Sequence, residues 1–310
     1  MYSAPFYGES SFLSYNKELF EQAGLEMPAE PTWDDVAEFA EALDSPDQYG
    51  ICLRGKPGWG EVMAPLDTVI NAYGGRWFDE DWNAQLDSPE SRAAIEKYVD
   101  IVRSHGEPGA ASAGFQECAN LMSQGQTAMW YDATSAVSTL ENPDTSRVVG
   151  KLGYAPAPSA AKGDNGWLYT WSLAIPEASE QHDAAWDFIS WMTSPQYIAD
   201  IAEDPDYGPS HVPPGSREST YELPAYAEVA EAYAEPTLTA IRGADQTDPS
   251  LEPVPYEGVQ FLAIPEFQDL GTRVSQQISA AIAGSKSVDE AIEQSQRYAE
   301  VVGDSYREGN

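Results

Sequence analysis

Apolar positions recur along the chain in two periods. In the first long helical pattern, Val36, Phe39, Ala40 and Leu43 fall on one face. Thr32 stands ahead of that run as an N-cap and Asp35 completes a capping box, so a helix is expected from Trp33. A second helix opens at Ser88-Pro89, with proline at its favoured first position and Ile95, Tyr98, Val99 and Val102 as its apolar face. A third is expected over 184–193, burying Phe188, Trp191 and Met192 and stopping before Pro195. The last begins at Ser287, with Glu290 completing another capping box, and runs to about Val302. Short β-type stretches at 50–53, 127–131, 152–155 and 169–175 lie between these helices. Alternation of the two periods gives an α/β fold class.

Two segments break the rhythm. Residues 156–166 are rich in Pro, Ala, Ser and Gly, and residues 204–217 carry Pro205, Pro209, Pro213 and Pro214. Both are candidate hinges, and they bracket a block that can belong to a different lobe. With 310 residues, 42% hydrophobic and 11% aromatic, the chain has enough material for one large or two ordinary domains and is not of disordered composition. No internal repeat is present.

Charge narrows the partners. The chain has 51 acidic and 16 basic residues, a net charge of -35 spread along its length. Such a polyanion does not seek nucleic acid or an anionic membrane face, and the acidity is expected to be a solvated surface suited to a salty exterior. No calcium loop of the D-x-[DN]-x-[DN]-G kind occurs. No apolar run approaches the ~18 residues of a membrane span. Met1-Tyr2-Ser3-Ala4-Pro5 has neither the basic nor the apolar region of a signal peptide, so the chain is expected to start cytosolic or truncated. Cys52 and Cys118 are open to two readings, one disulfide or two buried thiols.

Catalytic signatures are missing. There is no G-x-S-x-G elbow and no H-E-x-x-H, and His105, His182 and His211 stand apart as surface residues, with no metal site or cofactor implied. Gly55-Lys56-Pro57-Gly58-Trp59-Gly60 lacks the Lys-Ser/Thr ending of a phosphate loop and is expected to be a tight turn. What the chain does carry is aromatics beside polar groups in loop-like places: Phe6-Tyr7-Gly8-Glu9-Ser10-Ser11, Trp59, Trp130-Tyr131-Asp132, and Trp167-Leu168-Tyr169-Thr170-Trp171. Sugars and polyols call for this mixture, because an aromatic face covers their C–H surface while carboxylates, amides and guanidinium groups bind hydroxyls. Asp132, at the end of its strand, is placed to face a crevice or to N-cap a helix starting near Ala133.

These stretches resemble family 1 extracellular solute-binding proteins of ABC transporters. Pro5-Phe6-Tyr7-Gly8-Glu9-Ser10 with Tyr15-Asn16-Lys17-Glu18-Leu19-Phe20 is similar to the family's entry into its C-terminal lobe. Pro31-Thr32-Trp33-Asp34-Asp35, Gln124-Gly125-Gln126-Thr127-Ala128-Met129, Ala184-Ala185-Trp186-Asp187-Phe188-Ile189 with Thr193-Ser194, Ile264-Pro265-Glu266-Phe267 and Ser287-Val288-Asp289-Glu290-Ala291 follow in the family's order over essentially the whole chain. The segments 50–61 and 129–134 look like the sorbitol/mannitol-binding branch. The resemblance implies a non-catalytic, periplasmic-binding-protein-like type II fold, with two lobes closing through a hinge on a polyol or sugar. It implies delivery to ABC permease subunits from a periplasmic or extracellular location, lipid-anchored or secreted, where a disulfide between Cys52 and Cys118 is favoured. Carried over position by position, it implies ligand contacts at Glu9 and Asp132, more loosely at Trp167 and Trp171, and at Phe267 and Gln268. Trp59 and Arg217 join them as candidate ligand binders. Family members carry a further stretch ahead of the point where this chain begins. The expectation is therefore a C-terminal lobe of residues 1–156 and 213–310 and an incomplete N-terminal lobe, represented by 157–212. Two rival readings are a secreted carbohydrate hydrolase using Glu9 and Asp132, and a truncated remnant that binds nothing.

Overall fold

A computed structural model describes residues 3–309; Met1 and Tyr2, where a leader was looked for, and Asn310 lie outside the described residues. The chain enters on β1 (Ala4–Glu9), passes Ser10, and continues directly as β2 (Ser11–Asn16) in a different sheet. Asn16 then caps α1 (Lys17–Ala23), its side-chain oxygen accepting from the backbone N–H groups of Glu18 and Leu19. The expected capping box is present at α2 (Trp33–Leu43): Thr32 Oγ1 accepts from Asp35 N, and the Asp35 carboxylate accepts from Thr32 N. Then come β3 (Tyr49–Cys52), α3 (Met63–Ala72), whose residues are all buried, and α4 (Pro89–His105), capped by Ser88 as its sequence predicts. Next are α5 (Phe115–Ser123), β4 (Thr127–Ala133), α6 (Val137–Leu140), β5 (Leu152–Pro156) and β6 (Tyr169–Leu173). The last third is helical: α7 (His182–Met192), α8 (Pro195–Glu203), α9 (Pro224–Val229), α10 (Ala234–Gly243), α11 (Phe267–Ile282) and α12 (Val288–Glu308). α12 outruns its expected end near Val302 by about two turns.

Two sheets organise these elements. One has four strands in the order β3-β4-β2-β5, with β3 and β4 parallel and β2 antiparallel to both its neighbours. The other is the antiparallel pair β1-β6. The main core joins Leu13, Ile51, Met129 and Ala155 of the larger sheet to Val36, Val69, Tyr98 and Ile278 on helices. It also takes in residues as late as Ile292 and Ala299, so the chain's end returns to the sheet made by its first half. A second, smaller core gathers Ile198, Ala202, Val212, Tyr226, Ala230 and Tyr233 against Phe12 and Val137. The expected lobe boundary at 212/213 passes through it, because Tyr226 and Tyr233 lie beyond that point in sequence but pack on Ile198 and Ala202.

One expectation fails outright. α7 forms where its periodicity predicts, but Phe188, Trp191 and Trp186 are 53%, 50% and 57% exposed, and Ile189 is the helix's buried residue. An apolar stripe predicts a helix with a face to cover; it does not supply the cover.

Candidate ligand-binding site

β1 and the two parallel strands β3 and β4 set the geometry. Glu9 is the last residue of β1, opposite Tyr169, and Tyr7 lies opposite Trp171 across the pair. That register stacks the Tyr7 and Trp171 rings at 5.9 Å with 20° between their planes. The 213–216 segment is pressed onto the same strand: Gly8 N donates to Pro214 O at 3.0 Å, and Ser216 Oγ donates to Phe6 O at 3.0 Å. This approach requires glycine at 215, where φ is +78° and a Cβ would lie 2.0 Å from the Gly8 carbonyl oxygen. Pro213 and Pro214 are thereby held beside Tyr7.

Arg54 and Asp132 stand at the carboxyl ends of the parallel pair, where open α/β sheets place ligands. The Arg54 Nε donates to Asp132 Oδ2 at 2.7 Å and its Nη2 to Oδ1, a bidentate fork. Its third nitrogen, Nη1, donates to Gly60 O at 2.9 Å, with Glu61 at 3.8 Å. The guanidinium carbon sits 5.2 Å from the Phe115 ring centre. Burial works against the Arg54 charge, but the Asp132 carboxylate outweighs it and holds the guanidinium above its ordinary value. Asp132 is only 2% exposed and also accepts from Trp130 Nε1 at 3.1 Å and Ala133 N at 2.7 Å. It is therefore the support of Arg54. The helix expected near Ala133 is replaced by strand to Ala133 and a 3-10 turn over Thr134–Ala136 with no side-chain cap.

Glu9 is buried and accepts from Ser135 Oγ at 2.5 Å. Burial raises its carboxyl above the usual range; hydrogen bonding from Ser135 and Trp171 pulls back, and the Asp132 charge adds to the rise. Burial, with the Glu9 charge second, pushes the Tyr7 phenol up to about 12, so it stays a neutral donor.

These groups line one cleft of about 560 Å³, in the range of small-molecule sites. Phe6, Tyr7, Phe115, Trp171 and Tyr197 give it aromatic walls, and Glu9, Arg54, Glu61, Ser135 and His211 bring polar atoms. A larger groove of about 1050 Å³ lies over α2 and α4. Its charges partly answer one another, Lys97 donating to Asp34 at 2.7 Å, and Tyr73 is the one aromatic ring in its wall. We place the site in the smaller cleft, where aromatic faces and polar groups converge.

Of the residues singled out from sequence, Glu9 and Trp171 line this cleft and Asp132 lies directly beneath Arg54. The others do not line it. Trp167 is buried with Ala133 and Val259, and Trp59 packs its Cβ beside Gly271 of α11. Phe267 is a core residue, edge-to-face with Trp77 at 5.3 Å, and Gln268 is exposed on the first turn of α11. The exposed Arg217 donates through Nε to Thr193 O at 3.0 Å. Cys52 and Cys118 are bonded, with Cα atoms 5.5 Å apart. The sequence reading overlooked Arg54, Ser135, Phe115 and Tyr197, and set His211 aside as a surface residue. A signal existed for Arg54: it lies two residues past a strand end, just before the glycine-rich turn.

Residues 2–199 match the model of the bacterial extracellular solute-binding protein family. The mannitol-binding protein of Pseudomonas aeruginosa is 45% identical over 301 residues, covering 96% of this chain and 68% of that protein. The erythritol/L-threitol-binding protein of Mycolicibacterium smegmatis is 27% identical over 209 residues, 65% of this chain and 43% of that one. Among solved structures, an ABC transporter solute-binding protein of Agrobacterium vitis with bound D-mannitol superposes with a TM-score of 0.94 at 46% identity, over 99% of this chain and 73% of that one.

Proposed function

The chain belongs to the bacterial extracellular solute-binding protein family, and on that footing we propose that its cleft captures a linear polyol of the mannitol class for an ABC importer. The observation that carries this is the cleft itself: the stacked Tyr7–Trp171 pair beside Glu9 and Arg54. A polyol presents a C–H surface and a row of hydroxyls, each both donor and acceptor. The rings cover the C–H surface. The Glu9 carboxylate accepts hydroxyl protons, Arg54 donates to hydroxyl oxygens, and Ser135 Oγ, whose own proton goes to Glu9, accepts. Because Asp132 fixes two of the Arg54 nitrogens, the guanidinium is oriented before ligand arrives, which lowers the ordering entropy that binding must overcome.

The hydrolase reading needs Asp132 as the second carboxylate beside Glu9, and Asp132 is engaged elsewhere. Both Asp132 oxygens are occupied by N–H donors, so Asp132 is not free to serve as acid, base or nucleophile beside Glu9. The relatives point the same way, being named as binding proteins. Working outside the membrane, secreted or lipid-anchored, with permease subunits as the acceptors of ligand, completes the reading; among the described residues no helix is long and apolar enough to cross a membrane. We carry forward two lobes hinged near β1 and β6, with the smaller core around Ile198 and Tyr226 belonging to the second. Titration calorimetry with mannitol, sorbitol, arabitol, maltose and glucose tests the proposal. Heat with the hexitols, lost in Trp171→Ala, is the expected result. A folded protein giving heat with none of them overturns it.

A further inference from the structure

The Cys52–Cys118 bond has a neighbour that the ligand cleft does not explain. Cys52 ends β3 and Cys118 lies in α5, both fully buried. Glu107, in the loop after α4, brings a carboxylate oxygen within 4.8 Å of both sulfurs. Both Glu107 side-chain oxygens are buried and neither has a hydrogen-bond partner. A carboxylate in that position is unfavourable unless something answers it.

We propose that the reduced chain holds one thiophilic divalent cation of the Zn²⁺ type on Cys52, Cys118 and Glu107, so that this position carries either a disulfide or a metal. The distances suit it. Two thiolates bound to one zinc at about 2.3 Å stand about 3.8 Å apart, a separation that cysteines with Cα atoms 5.5 Å apart reach once the S–S bond opens and the side chains turn. The donor set is the sulfur-rich kind that zinc selects, with the carboxylate as third ligand and the fourth tetrahedral position left to water. The exchange balances with a phosphine reductant. Phosphorus takes the oxygen of one water and becomes phosphine oxide, while the S–S bond accepts two electrons and both water protons to give two thiols. The cation then displaces the two thiol protons to solvent as two metal–sulfur bonds form.

The consequence lies in the fold. Cys52 and Cys118 share a small core with Met122, Leu152 and Trp130, and the Trp130 indole donates to Asp132 beneath the cleft. Either the disulfide or the metal ties β3 to α5 and keeps that floor in place.

Cobalt gives a readout that the 51 acidic residues cannot imitate, since only thiolate ligands produce an intense near-ultraviolet charge-transfer band. The whole chain is unfolded in guanidinium with the phosphine and refolded anaerobically with Co²⁺. The expected result is that band at one cobalt per chain with the intensity of two thiolates, bleached by Zn²⁺, absent from the oxidised protein and cut to half or less in Cys52→Ser. Glu107→Gln should weaken cobalt binding by about tenfold or more, the scale on which supporting ligands matter. No band in the reduced wild-type chain overturns the proposal, as does a band whose midpoint Glu107→Gln leaves unmoved. Should Cys52→Ser fail to fold, the comparison of reduced with oxidised wild type still decides.

Discussion

Four N–H donors converge on the two oxygens of Asp132: two from Arg54, one from the Trp130 indole and one from the Ala133 backbone. A buried pair is costly to half-remove, because the surviving charge loses its partner without regaining water. Asp132→Asn should therefore destabilise the protein by about 3–5 kcal/mol, read as a lower urea midpoint. Ser135→Ala, which removes one hydrogen bond from Glu9 at the cleft, should weaken polyol binding and lower stability by less, about 1–2 kcal/mol; an equal urea shift for both variants would deny Asp132 its supporting role. Asp67 poses the opposite case. It sits in the buried helix α3, where Oδ1 accepts from Trp77 Nε1 at 3.0 Å and Oδ2 has no partner. Burial raises its carboxyl well above the usual range, and the Trp77 bond only partly counters that. The folded chain thus binds this proton more tightly than the unfolded one, so the stability it contributes is present in acid and is lost as pH rises. Asp67→Asn removes the charge while keeping the shape. It should raise the urea midpoint at about pH 7.5 and show little gain near about pH 4, where the folded carboxyl holds its proton and the unfolded one is about half protonated. An equal gain at both pH values would place the effect in packing.

Elements differ in how they expose their aromatic residues, and α7 is the extreme. Phe188 and Trp191, three residues apart, share one side of the helix, Trp186 lies on another, and all three are half exposed. Trp191 at least packs on Tyr197 at 4.8 Å. Removing Trp186 and Phe188 should leave the fold intact, since Ile189 anchors the helix. The double change Trp186→Gln, Phe188→Gln is expected to lower binding of a hydrophobic dye several-fold while changing stability by about 1 kcal/mol or less; a collapse of the melting transition would show that those rings carry packing. The same helix shows what the sequence made legible. Its span, and the starts of α2, α4 and α12, rest on local signals: Thr32 with Asp35, Ser88 with Pro89, Ser287 with Glu290. Glu9 and Trp171 were reachable through their motifs. Arg54 was not, because what holds it at the cleft is Asp132, 78 positions away on the neighbouring strand. Phe267 shows a related limit: the motif fixes its position in the chain, but only packing shows that it starts α11 against Trp77 in the core.

At the scale of the molecule, charge sets the conditions under which this architecture holds. A net charge of -35 on 310 residues leaves most carboxylates without a cation. The ion pairs that do form on the surface, such as Arg273 with Asp269 and Arg242 with Glu218, are individually weak. Repulsion among the remainder acts against the compact state, because the unfolded chain can separate its charges. Salt weakens that repulsion over a screening length of about 10 Å at 0.1 M and about 3 Å at 1 M. The melting temperature should therefore climb as sodium chloride rises from low concentration towards about 1 M, with most of the gain coming early, as the screening length shortens fastest there. Chloride is the informative salt, since sulfate would also strengthen apolar burial and confuse the two causes. Acid should act in the same direction as salt at first: protonation removes repulsion, and the raised carboxyls of Glu9, Asp67 and Glu107 favour the folded chain as they gain protons. Stability in low salt is thus expected to be greater at mildly acidic pH than at pH 8, and the difference should shrink in about 1 M chloride, where repulsion is already screened and the buried carboxyls are what still favours acid. A melting temperature indifferent to chloride would mean that the acidic surface is neutralised by other means, and that the pH dependence comes from the buried carboxyls alone.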